Sequence, residues 1–510
     1  MGPRENSWAD LKGEIVDTIV KVTNGMVRGV DLGDVVCFKG IPYAEAPFGE
    51  NRMRPPVTHS RWDGVRDCLD YGPTVPKGPY APPFDKILPE PSIPGEECLN
   101  LNVWTPRLGA KGLPVLVWIH GGSFLNGSGA VSSYDGSNFA RDGVICVTIN
   151  YRLGADGFLF LDDGISNLGI LDQLEALSWV QDNIFAFGGD PAKVTIAGES
   201  AGAMSVGTLL SLDAAKGLFR GAILESGAAH HYLSAGTAKK VAGYLAEALG
   251  IEPIRDQFRA VEVDRLVEAT SVLASVPQAK PDPAKWGEVT LNLMIFEPTV
   301  DGKVLKAPPI DSIREGTGGD VSVLIGTNRE EFNFFTVPTG LYDSINSAVV
   351  SFAAMAFGLD AEKLAVYQRL LSEDPQGEVF SQIAGDWFFR IPAIRLAEAR
   401  HGAKAGTYLY EFRWRSPMFE GRLGSCHAIE LPFVFDTLGV TTEAIDSAFV
   451  EGPQELAEEM HSAWVAFVKT LDPGWDSYSP EHRAVRIFGD ESRVEVDPRG
   501  ETREVWKGVR

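Results

Sequence analysis

The residues most able to do chemistry form the run Gly198-Glu199-Ser200-Ala201-Gly202. A serine hydroxyl is a weak nucleophile until a base takes its proton and the backbone lifts it clear of its neighbours. The spacing G-x-S-x-G does this when a strand enters it and a helix leaves it, because small flanking residues permit a strained turn. Here the apolar run Val194–Ala197 enters, and AGAMSVGTLL leaves with helical character. A second group, His120-Gly121-Gly122-Ser123-Phe124, follows the apolar run Val115–Ile119. Its glycines let backbone N–H groups turn toward a developing oxyanion. The expected donors are Gly121, Gly122 and Ala201, with Glu199 expected in the pocket beside them.

A serine nucleophile needs a base, and the base needs an orienting acid. Behind a strand–turn–helix serine the acid comes next along the chain and the histidine last. The pair Glu330-Glu331 follows VSVLIGTN, and His427 lies further on in GSCHAIELPFVF. His401 sits in a polar, solvated stretch, His461 reads as a helix residue and His482 lies in a charged loop. His427 is preferred because a Gly/Ser loop after a β-like run lets a side chain reach a cleft. Adjacent side chains at a strand end point apart, so only one of the two glutamates should reach it.

These groups must be positioned by a frame. Short, nearly continuous apolar runs recur at Val115–Ile119, Val144–Ile149, Val194–Ala197, Ala222–Leu224, Val321–Ile325 and Tyr408–Phe412. Such runs suit parallel strands buried on both faces. Leu171, Leu174, Leu177 and Val180 recur near helical spacing between polar residues. Strand and helix alternate, which predicts an α/β fold with a large, mostly parallel central sheet. Stretches 234–312 and 341–404 look mainly helical and read as cap insertions over the site, within a single catalytic domain spanning 1–510. VKVTNGMVRGV predicts a hairpin turning at Asn24-Gly25.

Composition narrows the function classes. Lys and Arg number 46 against 69 Asp and Glu, a net charge of −23. Phosphate backbones and anionic lipid would repel such a chain, so nucleic acid and membrane are not expected partners. The longest largely apolar stretch, Ala348 to Leu359, is too short to span a bilayer. The polar N-terminus has no apolar segment of secretory type, which predicts a cytoplasmic protein. The five cysteines and eight histidines show no metal-binding spacing, and no phosphate-binding glycine loop is seen, so neither metal nor cofactor is expected. A monomer or weak homo-oligomer acting on a small molecule is the expectation.

Longer motifs carry a resemblance. NLGILDQLEALSWVQDNIFAFGGDPAKVTIAGESAG, FKGIPYAEAPFGENRMRPP, EECLNLNVWTP, PVLVWIHGGSF, INYRLGADGFL, HAIELPFVF and AWVAFVKTLDP resemble the type-B carboxylesterase, or cholinesterase-like, family of α/β-hydrolases in its bacterial form. The resemblance implies that fold, Ser200 as nucleophile and His427 as base. It implies Glu331 as the acid, since GTNREEF aligns with G-x-N-x-D-E-G; Glu330 replaces the aspartate and Phe332 the glycine. Ser226, in LESG, matches a serine near the triad. Cys68 and Cys98 match a disulfide that ties a long loop beside the site, whereas the second disulfide of animal members has no counterpart.

The implied activity is hydrolysis of neutral carboxylic esters through an acyl-enzyme. Carbamates, amides or lactones are alternatives for the same residues, and a non-catalytic adhesion relative is the remote one. Residues 69–97 hold no tryptophan, only Tyr71, Tyr80 and Phe84 as rings, so choline esters should be poor substrates. Phe124, Phe332 and Phe388 are expected to make an apolar funnel, though each also fits core packing.

Overall fold

The structure is a computed structural model that describes residues 18–440 and 451–510. The polar N-terminal segment read for a secretory signal lies outside the described residues. A 13-stranded sheet runs in the order Thr18–Val22, Gly25–Asp31, Val36–Pro42, Asn100–Thr105, Ile145–Ile149, Leu113–Ile119, Gly189–Glu199, Gly221–Glu225, Ser322–Asn328, Thr407–Phe412, Ala484–Phe488 and Arg493–Val496, with Val65–Asp67 beside the second. Pairing is parallel from Ile145–Ile149 to Ala484–Phe488 and antiparallel toward both edges.

Each apolar run singled out in the sequence lies within one of the parallel strands, except that Val144 and Val321 fall just outside. The runs are continuous because both faces are covered. In Leu113–Ile119, Val115, Val117 and Ile119 pack into one hydrophobic layer, while Leu116 and Trp118 pack into the other. The periodic leucines fall in the helix Leu168–Asn183. The hairpin turns one residue earlier than expected: Val22 pairs with Gly25 across Thr23 and Asn24. Gly25 belongs to the strand because the Trp62 ring lies against it; a Cβ there would be 2.3 Å from the indole nitrogen.

Strand register decides what the sheet presents. Ile119 pairs with Gly198, Glu199 with Glu225, Gly326 with Glu225 and Asn328 with Phe412. The carboxyl ends of five strands are therefore nearly level, and the loops leaving them are neighbours. Ligand crevices of parallel sheets form at that edge. The stretch 234–312 is mainly helical, including Ala235–Leu249 and Val263–Ala279, with a two-stranded pairing of Leu233–Ser234 and Thr299–Val300. The stretch 341–404 holds Ser347–Ala356, Ala361–Leu370, Gln376–Gly385 and Ile391–Ala399, with a π-helical turn at Asp386–Arg390. Among the described residues no helix is long and apolar enough to cross a membrane.

Candidate active site

Ser200 sits between the strand Gly189–Glu199 and the helix Ala201–Leu210, with φ 56° and ψ −124°. A non-glycine residue held there stores strain that its surroundings must offset. Two features offset it. The Ser200 N–H donates to the Glu225 carbonyl at 2.9 Å, and the helix behind is buried along its whole length. The flanking glycines are steric necessities: a Cβ on Gly202 would stand 2.0 Å from the Ile119 carbonyl oxygen, and one on Gly198 2.6 Å from it.

The His120–Phe124 turn lies directly against the serine. A Cβ on Gly121 would be 3.1 Å from the Ser200 Cβ. Among the described residues no backbone acceptor takes the N–H groups of Gly121, Gly122 and Ala201, so all three remain to serve a ligand oxygen. His120 is fully buried, and burial lowers its pKa to about 3, which keeps the ring neutral. Its Nδ1 lies 2.8 Å from the Gly121 oxygen. The neutral ring carries its proton there and fixes the peptide whose N–H belongs to Gly122.

His427 leaves the loop after Thr407–Phe412. Its Nδ1 is 2.7 Å from Glu331 Oε2, and its backbone N–H donates to the Glu331 carbonyl at 3.2 Å. Glu331 Oε1 accepts from the Ser226 hydroxyl at 2.6 Å and from the Asn328 N–H at 2.8 Å. Glu330 turns the other way, its Oε1 on Arg415 and its Oε2 on the Ser425 N–H. Of the two adjacent glutamates, the geometry brings only Glu331 to the imidazole. His427 Nε2 faces Glu199 Oε1 at 3.0 Å, and no hydrogen bond joins it to Ser200 among the described residues.

The site is heavily acidic. Burial alone would lower the His427 pKa, but Glu199, the bond and charge of Glu331, and Glu430 together raise it to about 9. Glu199 is itself pushed up to about 8 by burial, against the pull of His427. Both groups are thus held toward their protonated forms, and they titrate as a coupled pair. Glu430 accepts from the Asn328 side chain and is pushed up to about 7 by burial and by Glu331. Glu225 accepts from the Trp464 indole at 2.7 Å and is raised by burial and by Glu430. Sequence reasoning missed Glu225 and Glu430. The available signal was an acid inside an otherwise apolar run, AILESG and AIELPF.

Above these residues opens a cavity of about 370 Å³ that Glu199, Ser200, His427, Gly121 and Gly122 all line. Its rings are Tyr80, Phe84, Tyr134, Phe334 and Phe335. The expected funnel of Phe124, Phe332 and Phe388 is corrected here, because none of the three is among the lining residues. Phe124 is fully buried against Phe158, Phe332 packs on Phe335 and Phe380, and Phe388 packs on Phe389 and His231. Ser226 is also fully buried, under Glu331. Within 69–97, Tyr80 and Phe84 line the cavity, while Tyr71 lies beside Trp104 and under Lys39.

Leu266, Val267, Thr270 and Ala274 of Val263–Ala279, with Leu293 and Met294, form one wall. No residue of 341–404 lines the cavity; Phe389 instead packs beside His427 at 4.6 Å.

The expected pairing of Cys68 with Cys98 is also corrected: both are buried free thiols. Burial pushes the Cys68 thiol up to about 12 and raises that of Cys98 as well. Among the described residues no cluster of three or more His, Cys, Asp or Glu could hold a metal ion.

Residues 16–506 match the carboxylesterase family. The chain is 36% identical over 505 residues to para-nitrobenzyl esterase of Bacillus subtilis (strain 168), covering 95% of this chain and 98% of that one. It is 36% identical over 496 residues to phenmedipham hydrolase of Pseudarthrobacter oxydans, covering 94% and 96%. Carboxylesterase EST55 of Geobacillus stearothermophilus superposes with a TM-score of 0.83 at 36% identity, over 96% of this chain and 100% of that one.

Proposed function

The chain belongs to the carboxylesterase family and is a carboxylic ester hydrolase of the α/β-hydrolase fold, and from that premise we propose that it cleaves neutral esters through an acyl-enzyme on Ser200. His427 takes the serine proton through Nε2 as Oγ attacks the carbonyl carbon. Nε2 must be unprotonated for this, so the imidazole acts in its neutral form, and burial favours the neutral form of the facing Glu199 carboxyl. Glu331 holds the Nδ1–H tautomer and stabilises the imidazolium. The N–H groups of Gly121, Gly122 and Ala201 receive the oxyanion. His427 then protonates the departing alcohol, and water repeats the sequence on the acyl-enzyme.

The observation that carries this reading is the His427 Nδ1–Glu331 Oε2 contact of 2.7 Å beside a strained serine, with the unclaimed N–H groups of Gly121 and Gly122 on residues that line the same cavity. The cavity lining favours a modest acyl group and a hydrophobic or aromatic alcohol. A fluorophosphonate should label one residue, Ser200, and Ser200→Ala should remove both label and ester turnover while the protein stays folded. Labelling elsewhere, or turnover by the alanine variant, overturns the reading. A panel of p-nitrophenyl esters, carbamates and anilides measures the substrate class; carbamates or anilides turned over faster than esters would reverse it.

A further inference from the structure

The segment between Cys68 and Cys98 lines the cavity without a covalent tie at its base. Hydrogen bonds fix that base instead. The Thr74 N–H donates to the Ile93 carbonyl, the Ile93 N–H to the Thr74 hydroxyl, and the Asn100 amide to the Pro73 carbonyl. Just inside this base lies a charged pair that the reaction as described above does not use. Lys77 Nζ is 3.1 Å from Glu90 Oε1 and donates to the Pro91 carbonyl at 2.7 Å; the two side chains are only 2% and 12% exposed. An ion pair costs much of its Coulomb gain in desolvation when it is withdrawn from water this far. Stability alone is therefore a weak reason for it, and its second contact is more informative.

The Glu90 carboxylate accepts from the Gly127 N–H, at 3.3 and 3.2 Å to its two oxygens. The Asn126 amide donates back to the Gly78 carbonyl at 2.8 Å, so the segment grips this turn from both sides. Gly127 has φ 94°, and its backbone presses on the Gly121 peptide: a Cβ there would meet the Gly121 oxygen at 2.4 Å and His120 Nδ1 at 2.5 Å. The Gly121 carbonyl and the Gly122 N–H are the two ends of one planar peptide. The Gly122 carbonyl in turn accepts from the N–H groups of Leu125 and Asn126, both at 2.9 Å, which closes the turn on itself.

We propose that Glu90 is a positioning residue for oxyanion stabilisation: its carboxylate, with Lys77 as counter-ion, anchors Gly127 and thereby sets the direction of the Gly122 N–H. This rests on the acyl-enzyme reading given above and adds to it a cause for the donor geometry. An oxyanion donor contributes only when aimed at the transition-state oxygen, so a loosened turn lowers kcat more than it raises KM.

The test uses the full chain in two double variants that remove the buried charges together. E90L/K77M keeps apolar bulk and loses the acceptor for Gly127. E90Q/K77M keeps a carbonyl acceptor in nearly the same place. Kinetics with p-nitrophenyl butyrate are normalised to sites titrated with a phosphonate. Affinity for an aryl trifluoromethyl ketone, which forms a tetrahedral oxyanion adduct on the serine, is measured alongside.

E90L/K77M should lose about tenfold in kcat and about tenfold in ketone affinity, a part of the 10²–10³ that loss of a whole donor costs, with KM within about twofold. E90Q/K77M should return both values to within about threefold of the wild type, because a neutral acceptor is about half as strong as a charged one. Undiminished kcat and ketone affinity in E90L/K77M overturns the inference. So does a loss confined to KM, which would make the segment a cavity wall only, and so does failure of the glutamine variant to recover. If E90L/K77M does not fold, E90Q alone carries the test: a drop of about threefold in kcat and ketone affinity at constant KM supports the role, and no drop overturns it. A wild type that forms no ketone adduct, or is labelled away from Ser200, would instead overturn the acyl-enzyme reading itself.

Discussion

Replacing Glu331 by glutamine should be far more damaging than the same change at Glu330, and the hydrogen bonds say why. Glu331 Oε1 takes the Asn328 backbone N–H at 2.8 Å and the Ser226 hydroxyl at 2.6 Å, and Oε2 faces His427 Nδ1 at 2.7 Å. A glutamine must put its carbonyl on one of these sides and its NH2 on the other. The Ser226 hydroxyl can rotate to accept, but a backbone N–H cannot, so the carbonyl stays at Asn328 and the NH2 meets Nδ1. Nδ1 then has to accept, the ring proton moves to Nε2, and the base presents a proton where it needs a lone pair. The wrong tautomer in a serine triad costs on the order of 10⁴ in kcat. A loss of about 10³–10⁴ is therefore expected for Glu331→Gln, equivalent to about 4–5.5 kcal/mol of transition-state stabilisation. Glu330→Gln keeps an acceptor for the Ser425 N–H and loses charge toward Arg329 and toward Arg415, whose side chain is 55% exposed, with no contact to the imidazole. Such a pair contributes under about 1 kcal/mol, so the change should stay within about threefold. The assay is kcat for p-nitrophenyl butyrate per phosphonate-titrated site, with melting temperatures to show both variants folded. Equal losses, the reverse order, or a loss under tenfold at Glu331 would refute the argument.

Glu199→Gln removes the strongest of the charges holding His427 above its ordinary value, so the imidazole pKa falls and the acid limb of the kcat/KM profile should move to lower pH; a limb that stays put or moves up contradicts the coupling. Denatured without reductant, the protein should show all five cysteines as thiols, and Cys68 and Cys98 should alkylate slowly when native because both are buried; intact mass spectrometry revealing a Cys68–Cys98 bond would reverse this. Among the described residues no tryptophan lines the cavity, so kcat/KM for butyrylthiocholine should fall well below that for p-nitrophenyl butyrate at moderate salt; parity would show that Tyr80, Phe84 and Tyr134 suffice as a cation-binding face.

The parts of the site legible in the sequence were those whose surroundings are periodic. Ser200 and the Gly121–Gly122 turn follow continuous apolar strands, so their places at strand ends could be read directly. The choice between Glu330 and Glu331 was narrowed by strand alternation, which sends neighbours to opposite sides. The aromatic wall could not be read that way. Beyond Glu331 the chain turns into the short helix Asn333–Thr336, so alternation ends, Phe332 swings into the core, and Phe334 and Phe335 reach the cavity. Phe388 was drawn to the site by its aromatic type, yet its helical turn presents it to His231 and Phe389. Glu225 and Glu430 stood out only as acids inside apolar runs, and their partners, Trp464 and Asn328, are too remote in sequence to be read from it. Lys77 and Glu90 lie in an aperiodic, proline-rich stretch where spacing predicts no contact.

The level strand ends carry Ser200, the oxyanion turn, Glu331 and His427, whereas much of the cavity wall comes from Val263–Ala279 and the Cys68–Cys98 segment. On the function proposed above, the two parts do different work. A substitution at Leu266, Val267, Thr270 or Ala274 changes which alcohols and acyl groups fit, without entering the route of the proton. A lineage carrying this architecture is free to drift across substrates while its chemical step stays fixed. A variant library confined to those wall positions should accordingly return altered selectivity more often than lost turnover, and one confined to the strand ends should return the opposite.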